Sequence, residues 1–237
     1  MFLFKPSIDP AIGKFAPGFR ALSIYVQAAT IKNPEVAAET LDQACRDLKN
    51  AKAAWTDPHL TAWADVFTRF GAKPKRTPCS AEALHKRVLR DGNISSIDPI
   101  VDLYNAISIR FAVPVGGENI DAYAGNPRLT VANGTEIFDT VKEGQLAEES
   151  PNAGEVIWRD DIGVTCRRWN WRQGVRTRLS SEAKNMWFIL ESLPEMPLQS
   201  LLEAGDQLTL GITRIMPGAT TEQQLIEIEN AYSDQSS

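Results

Sequence analysis

Histidine, cysteine and long apolar runs are what this sequence has least of. Its 237 residues include two histidines, His59 and His85, and three cysteines, Cys45, Cys79 and Cys166. The cysteines are odd in number, far apart and without a CxxC pair, which argues against a disulfide framework and a zinc site. A histidine-based triad or metal centre would have to use one of two residues, each in a stretch that reads as surface helix or loop. No apolar run approaches the roughly 20 residues of a membrane span. Residues 1–10 also lack the basic start, apolar core and small-residue cleavage site of a secretory signal, so the expected compartment is cytoplasmic. No internal repeat or low-complexity segment is found. A basic excess is missing too: 25 Lys and Arg against 30 Asp and Glu leave a net charge of -5. That removes bulk attraction to nucleic acid but leaves room for a local basic patch.

With 43% hydrophobic and 23% charged residues, the chain has the composition of an ordinary globular protein. We read it as one domain, residues 1–237, with a helical N-terminal part over about 1–95, a core over about 96–215 and a C-terminal helix and tail over about 216–237. Residues 2–18 carry two Gly and three Pro and predict a short strand or irregular arm. Residues 19–31 predict a strand. Asn33-Pro34 predicts a helix start with Asn33 as cap, and Val36, Ala37, Leu41, Ala44, Cys45 and Leu48 then recur at spacings of three and four. A second helix is expected over 57–70. A third follows Ser80 as its cap, with a basic outer side of His85, Lys86, Arg87 and Arg90 that is either a solvated face or a contact for a polyanion.

The stretch 101–125 organises the rest. Residues 100–109 predict a helix buried on more than one side, carrying Asn105 as a polar group that needs partners. Pro114-Val115-Gly116-Gly117 breaks it. Residues 128–132 and 136–138 read as a hairpin about Asn133-Gly134, and 143–154 as an acidic, turn-rich stretch. Residues 155–159 and 163–171 read as two strands, and 182–192 as a helix or a helix and strand bearing Glu191. A short helix over 194–205, a strand over 207–215 and a terminal helix over 222–232 complete the reading. Charge is most uneven where Arg159, Arg167, Arg168, Arg172, Arg176 and Arg178 interleave with Trp158, Trp169 and Trp171. Those arginines fit contacts to RNA phosphates, with a tryptophan stacked on an unpaired base, or equally structural bridges to the acidic stretch.

Val101-Asp102-Leu103-Tyr104-Asn105, then Pro114 and Gly125, resembles a segment of the B3/B4 domain of the phenylalanyl-tRNA synthetase beta subunit. Val156-Ile157, Asp161 and Ile189-Leu190-Glu191-Ser192 resemble a later segment in the same order. Free-standing B3/B4 proteins are more similar still, sharing a lead like Cys79 to Leu84, the VDLYN run, the Pro-x-Gly-Gly turn and the Arg168-Trp169-Asn170-Trp171-Arg172 block. The resemblance covers roughly residues 75–215. It implies an α+β, three-layer fold preceded by N-terminal helices, and a site that hydrolyses the ester of a wrongly charged aminoacyl-tRNA. By motif, Asn105 and Glu191 become the candidate catalytic residues, Glu191 matching a glutamate that recognises a polar group on the amino acid. Gly116 stands where the family has a histidine, and Arg167 to Arg172, with Trp169 and Trp171, replace a glycine-rich pocket loop.

Aminoacyl-ester hydrolysis requires neither metal nor other cofactor; it requires a placed water and donors for the developing oxyanion. Gly116 and Gly117 are the candidate backbone donors, and with Trp169 and Trp171 they are expected to line the substrate pocket. Glu191 would pair with the α-ammonium or act as a base. Arg87, Arg167, Arg168, Arg172 and Arg176 are the candidate RNA contacts. The expected partner is the acceptor end of a charged tRNA, with no membrane and a possible contact with a synthetase. A module that binds RNA or an amino acid without turnover, or a docking partner of a synthetase, is the alternative.

Overall fold

Two eight-residue strands, buried almost end to end, carry the architecture of the computed structural model, which describes residues 4–180 and 182–228. They are β2 (Arg20–Gln27) and β10 (Asn185–Ser192), the inner pair of a four-stranded antiparallel sheet. β11 (Thr220–Glu227) flanks β2, and β3 (Val115–Asn119) flanks β10. Alternation sends Leu22, Ile24, Val26, Met186, Phe188 and Leu190 to one face, against α4 (Pro99–Phe111) and α5 (Leu198–Ile215). Ala21, Tyr25, Trp187 and Ile189 go to the other, against a second sheet and α2 (Thr56–Arg69). The second sheet runs β1 (Ser7–Ile8), β4 (Arg128–Val131), β7 (Val156–Arg159), β8 (Val164–Arg167), β5 (Phe138–Lys142) and β6 (Gln145–Glu149), with β9 (Arg172–Gln173) beside β8. Helices, sheet and sheet make the expected three-layer α+β fold. α1 (Glu35–Asn50) and α3 (Ser80–Asp91) pack on α4 from outside.

Periodicity located α1 to α4 and β2 well; the C-terminal third departs from expectation. Residues 207–215, expected as a strand, continue α5. In that helix Leu201, Ala204, Gly205, Leu208, Ile212 and Ile215 form the buried stripe. A Cβ on Gly205 would run into Leu22, and one on Gly211 into Leu103 at 2.9 Å, so these glycines let the helix lie flat on sheet and α4. The terminal helix is instead strand β11, whose alternately half-buried residues complete the edge of β2; residues 229–232 of that expectation lie outside the described residues. The central sheet therefore takes one strand from the part read as a helical preamble and another from the part read as a tail.

The Asn133-Gly134 turn does not close a hairpin. β4 pairs with β7 and β5 with β8, so the two strands part there, and the Glu136 carboxylate accepts from the Asn133 and Gly134 N–H groups. The hairpin is β5–β6, turned by Glu143 and Gly144 at positive φ inside the stretch read as an acidic loop. Pro34 rather than Asn33 precedes α1, and Asn33 caps the far end of α5 by donating to the Arg214 carbonyl. Cys79 precedes α3, leaving the Ser80 hydroxyl without a partner among the described residues. His59 and His85, expected at the surface, are buried against the carbonyls of Ala112 and Ile109. Burial holds the His59 imidazole down at about 4, so it is neutral and structural.

Candidate functional site

The β3–β10 register lays out the floor of a cavity between the two sheets. Gly116 lies opposite Ile189 and Glu118 opposite Trp187, while the Glu191 N–H bonds the Pro114 carbonyl. All of these side chains share one face. Because directly opposed pairs alternate between bonded and non-bonded, Gly116 N–H is spent in the β3–β10 ladder and Gly117 N–H points to the outer edge of β3, along which residues 177–179 run. Gln173 reaches that same edge and donates to the Gly117 carbonyl at 2.7 Å. Of the two expected donors, only Gly117 is free of the ladder. Its lack of a side chain has a packing cause: a Cβ there would meet Leu179 at 2.7 Å and Phe188 at 3.0 Å.

Glu191 sits on β10, 1% exposed, rather than as a solvated charge near a helix end. Trp158 Nε1 donates to its Oε1 at 2.7 Å and Asn170 Nδ2 to its Oε2 at 2.9 Å. Each oxygen keeps a lone pair for a ligand. Burial nevertheless outweighs these two donors and the Trp169 indole N–H that also faces the carboxylate, and pushes the carboxyl up to about 7. A second carboxylate shares the cavity. Glu118 is 5% exposed, its Oε2 has no partner among the described residues, and burial pushes it up to about 8 against the pull of Gln173 and Arg176. Cys166 lies between them: burial first, then both carboxylates, hold its thiol well above its ordinary value, which rules it out as a nucleophile near neutral pH.

The cavity encloses about 340 Å³ and brings together most of the residues expected to act there. Asn105, Gly116, Gly117, Trp169, Trp171, Glu191 and Arg87 all line it. α4 delivers Asn105, half-buried and unbonded within the described fold, and Tyr104; α3 delivers Ser80 and, from its exposed side, Arg87. Trp169 arrives by a sharp turn, in which Arg168 and Trp169 take φ of 47° and 65° in succession. Two non-glycine residues in that region are costly, about 1–3 kcal/mol each. Burial of Trp169 against Phe19 and Trp63, at ring separations of 4.9 and 5.3 Å, holds the turn. This bend ends strand β8 at Arg167, so the alternation expected through residue 171 does not apply.

The bend also sorts the arginines. Arg167 is 7% exposed and doubly bonded to Glu155, with Glu149 on its third nitrogen, so it cannot meet a phosphate. Arg176 is paired with Asp160 and the Ala122 carbonyl, and Arg172 reaches back to the Val141 carbonyl. All three are thus bonded within the fold, Arg167 buried and Arg172 and Arg176 partly exposed. Arg168 is held more loosely: its Nε lies 3.7 Å from Glu155, its guanidinium lies 4.4 Å from the Trp171 ring centroid, and it borders a surface groove that also holds exposed Lys73 and Arg76. Sequence reasoning missed Glu118, Trp158, Asn170, Gln173 and Trp187 in the cavity. No local signal in the sequence marks Glu118 as buried.

Geometry thus defines a class before any comparison: a three-layer α+β protein with a cavity floored by two strands, walled by tryptophans and holding two buried carboxylates. Among the described residues no cluster of three or more His, Cys, Asp or Glu is placed to hold a metal, and no helix is long and apolar enough to cross a membrane. Residues 62–200 match the B3/4 domain, and the chain belongs to that family. Its fold is similar to that of an N-terminal fragment of the phenylalanyl-tRNA synthetase beta subunit from Pyrococcus horikoshii, with a TM-score of 0.51 at 9% identity. The alignment covers 95% of this chain and 55% of that fragment, so this chain spans about half the fragment's length. No curated protein matches the sequence.

Proposed function

We propose that this protein is a synthetase-related module that hydrolyses the ester of a mischarged aminoacyl-tRNA, taking the aminoacyl group into the cavity. One observation carries the reading. Ser80 Oγ, Glu118 Oε2 and Asn170 Oδ1 are buried polar atoms of cavity residues, each without a partner among the described residues. Leaving such atoms unsatisfied costs about 1–3 kcal/mol each, which a polar ligand of matching shape repays. Glu191 pairs with the α-ammonium that every aminoacyl ester carries. Asn105 holds the water, whose oxygen bonds to the carbonyl carbon as the bond to the ribose oxygen breaks and that oxygen takes up a proton. Gly117 N–H donates to the developing oxyanion. At the mouth, Arg87 meets the terminal phosphates, Trp171 stacks on the last base, and Arg168 with Lys73 and Arg76 continues the path along the groove.

Deacylation over a panel of mischarged tRNAs tests this. Release above background with at least one pair, lost in Asn105→Ala, is expected; no release with any pair overturns the hydrolase. The second reading, binding without turnover, draws on Gly116 standing where the related domains carry a histidine. RNA binding that persists in a protein inactive on the whole panel would favour it.

A further inference from the structure

Glu118 has no role in the proposed chemistry, yet it is built into the cavity. It lies opposite Trp187, only the neutral side chains of Gln173 and Thr177 face its carboxyl as donors, and its Oε2 is buried without a hydrogen-bond partner among the described residues. Every cation near it is otherwise engaged or outside: Arg176 is held by Asp160, Arg178 bridges the strand edge from an exposed position, and Arg87 stands at the mouth. On the shared face Glu118 and Glu191 are two rows and one strand apart, about 14 Å between Cα atoms from strand spacings. Two glutamate side chains and a ligand a few atoms long fill that span together. Trp158, Trp187 and Tyr104 add aromatic wall, which suits a cation.

We infer that the cavity selects an amino acid with a second amine at the end of its side chain, the α-amine at Glu191 and the side-chain amine at Glu118. This rests on the reading of the cavity as an aminoacyl site and supplies its substrate class. A carboxylate without its own counter-charge is an expensive thing to bury, and a ligand ammonium supplies that charge. Glu118 is then a specificity residue: an apolar side chain of equal length would leave it unpaired, the asymmetry that gives polar sites their discrimination.

The test is calorimetric binding of lysinamide, ornithinamide and norleucinamide, amides that cannot be hydrolysed as esters are. At neutral pH at least one diamino amide should bind about tenfold or more tighter than norleucinamide, and Glu118→Gln should erase that margin. Should the variant misfold, the wild type alone decides. Binding should release a fraction of a proton as Glu118 ionises, read from buffers of different ionisation enthalpy. Glu191, Tyr104, Cys166, Asp160, Arg176 and Arg178 also face this region, and of these Glu191 adds to the release in the same direction. Norleucinamide binding equally well, a margin that survives Glu118→Gln, binding without proton release, or no binding of any amide to folded protein would each overturn the inference. The hydrolase reading would still stand or fall on the tRNA panel.

Discussion

Replacing Glu118 by Gln should change the pH dependence of stability in one direction and by a definite amount. A carboxyl that titrates at about 8 in the fold and near its ordinary value when unfolded keeps its proton through neutral pH only in the folded state. Folding then takes up a proton, so stability is fully present below the unfolded value and is lost as pH rises through the folded one. At about 1.36 kcal/mol per proton per pH unit, the rise from about pH 6.5 to about pH 8 costs the wild type on the order of 2 kcal/mol through Glu118 and about half that through Glu191. Glu118→Gln should remove the larger share. Urea unfolding of both proteins at the two pH values reads the difference, in which the opposite drift from buried His59 cancels. Parallel pH dependences would show that Glu118 is already ionised in the fold and that the account of its burial is wrong.

Other perturbations separate structural from functional residues. Arg167→Ala should destabilise by about 3–5 kcal/mol, because it takes the bidentate partner from buried Glu155, and a shift in urea midpoint measures it. Arg168→Ala should leave stability within about 1 kcal/mol but flatten the salt dependence of tRNA binding by about one phosphate contact. Gly117→Ala should cost about 1–3 kcal/mol by overpacking Leu179 and Phe188, seen as a lower Tm. Glu191→Gln should weaken binding of the aminoacyl group while keeping the Trp158 bond to Oε1, so a variant that fails to fold would assign Glu191 to the core instead.

Much of this arrangement was legible because local pattern and tertiary packing agree. In α1 and α4 the apolar spacing that predicts the helix also makes its buried face, and Tyr104, Asn105 and Glu191, from the motif segments, lie on one cavity. The failures come where packing overrides local signal. Leu208, Leu210 and Ile212 alternate as a strand would, yet Gly205 and Gly211 let that stretch approach β2 and α4 as a helix, leaving Leu210 half exposed. The arginine ribbon looked continuous because alternation was carried through Arg168 and Trp169, whose left-handed turn has no glycine to announce it. Glu118 became buried only because β8, β9 and the segment after β9 fold over the outer edge of β3. Nothing near it in sequence encodes that.

A structure of the protein with an amide-linked aminoacyl-adenosine mimic tests the central claim most directly. The account predicts the amino acid between β3, β10 and α4, its ammonium on Glu191, Asn105 beside the carbonyl and the adenosine at the mouth near Arg87 and Trp171. A mimic seated elsewhere, with the cavity unchanged, would contradict it.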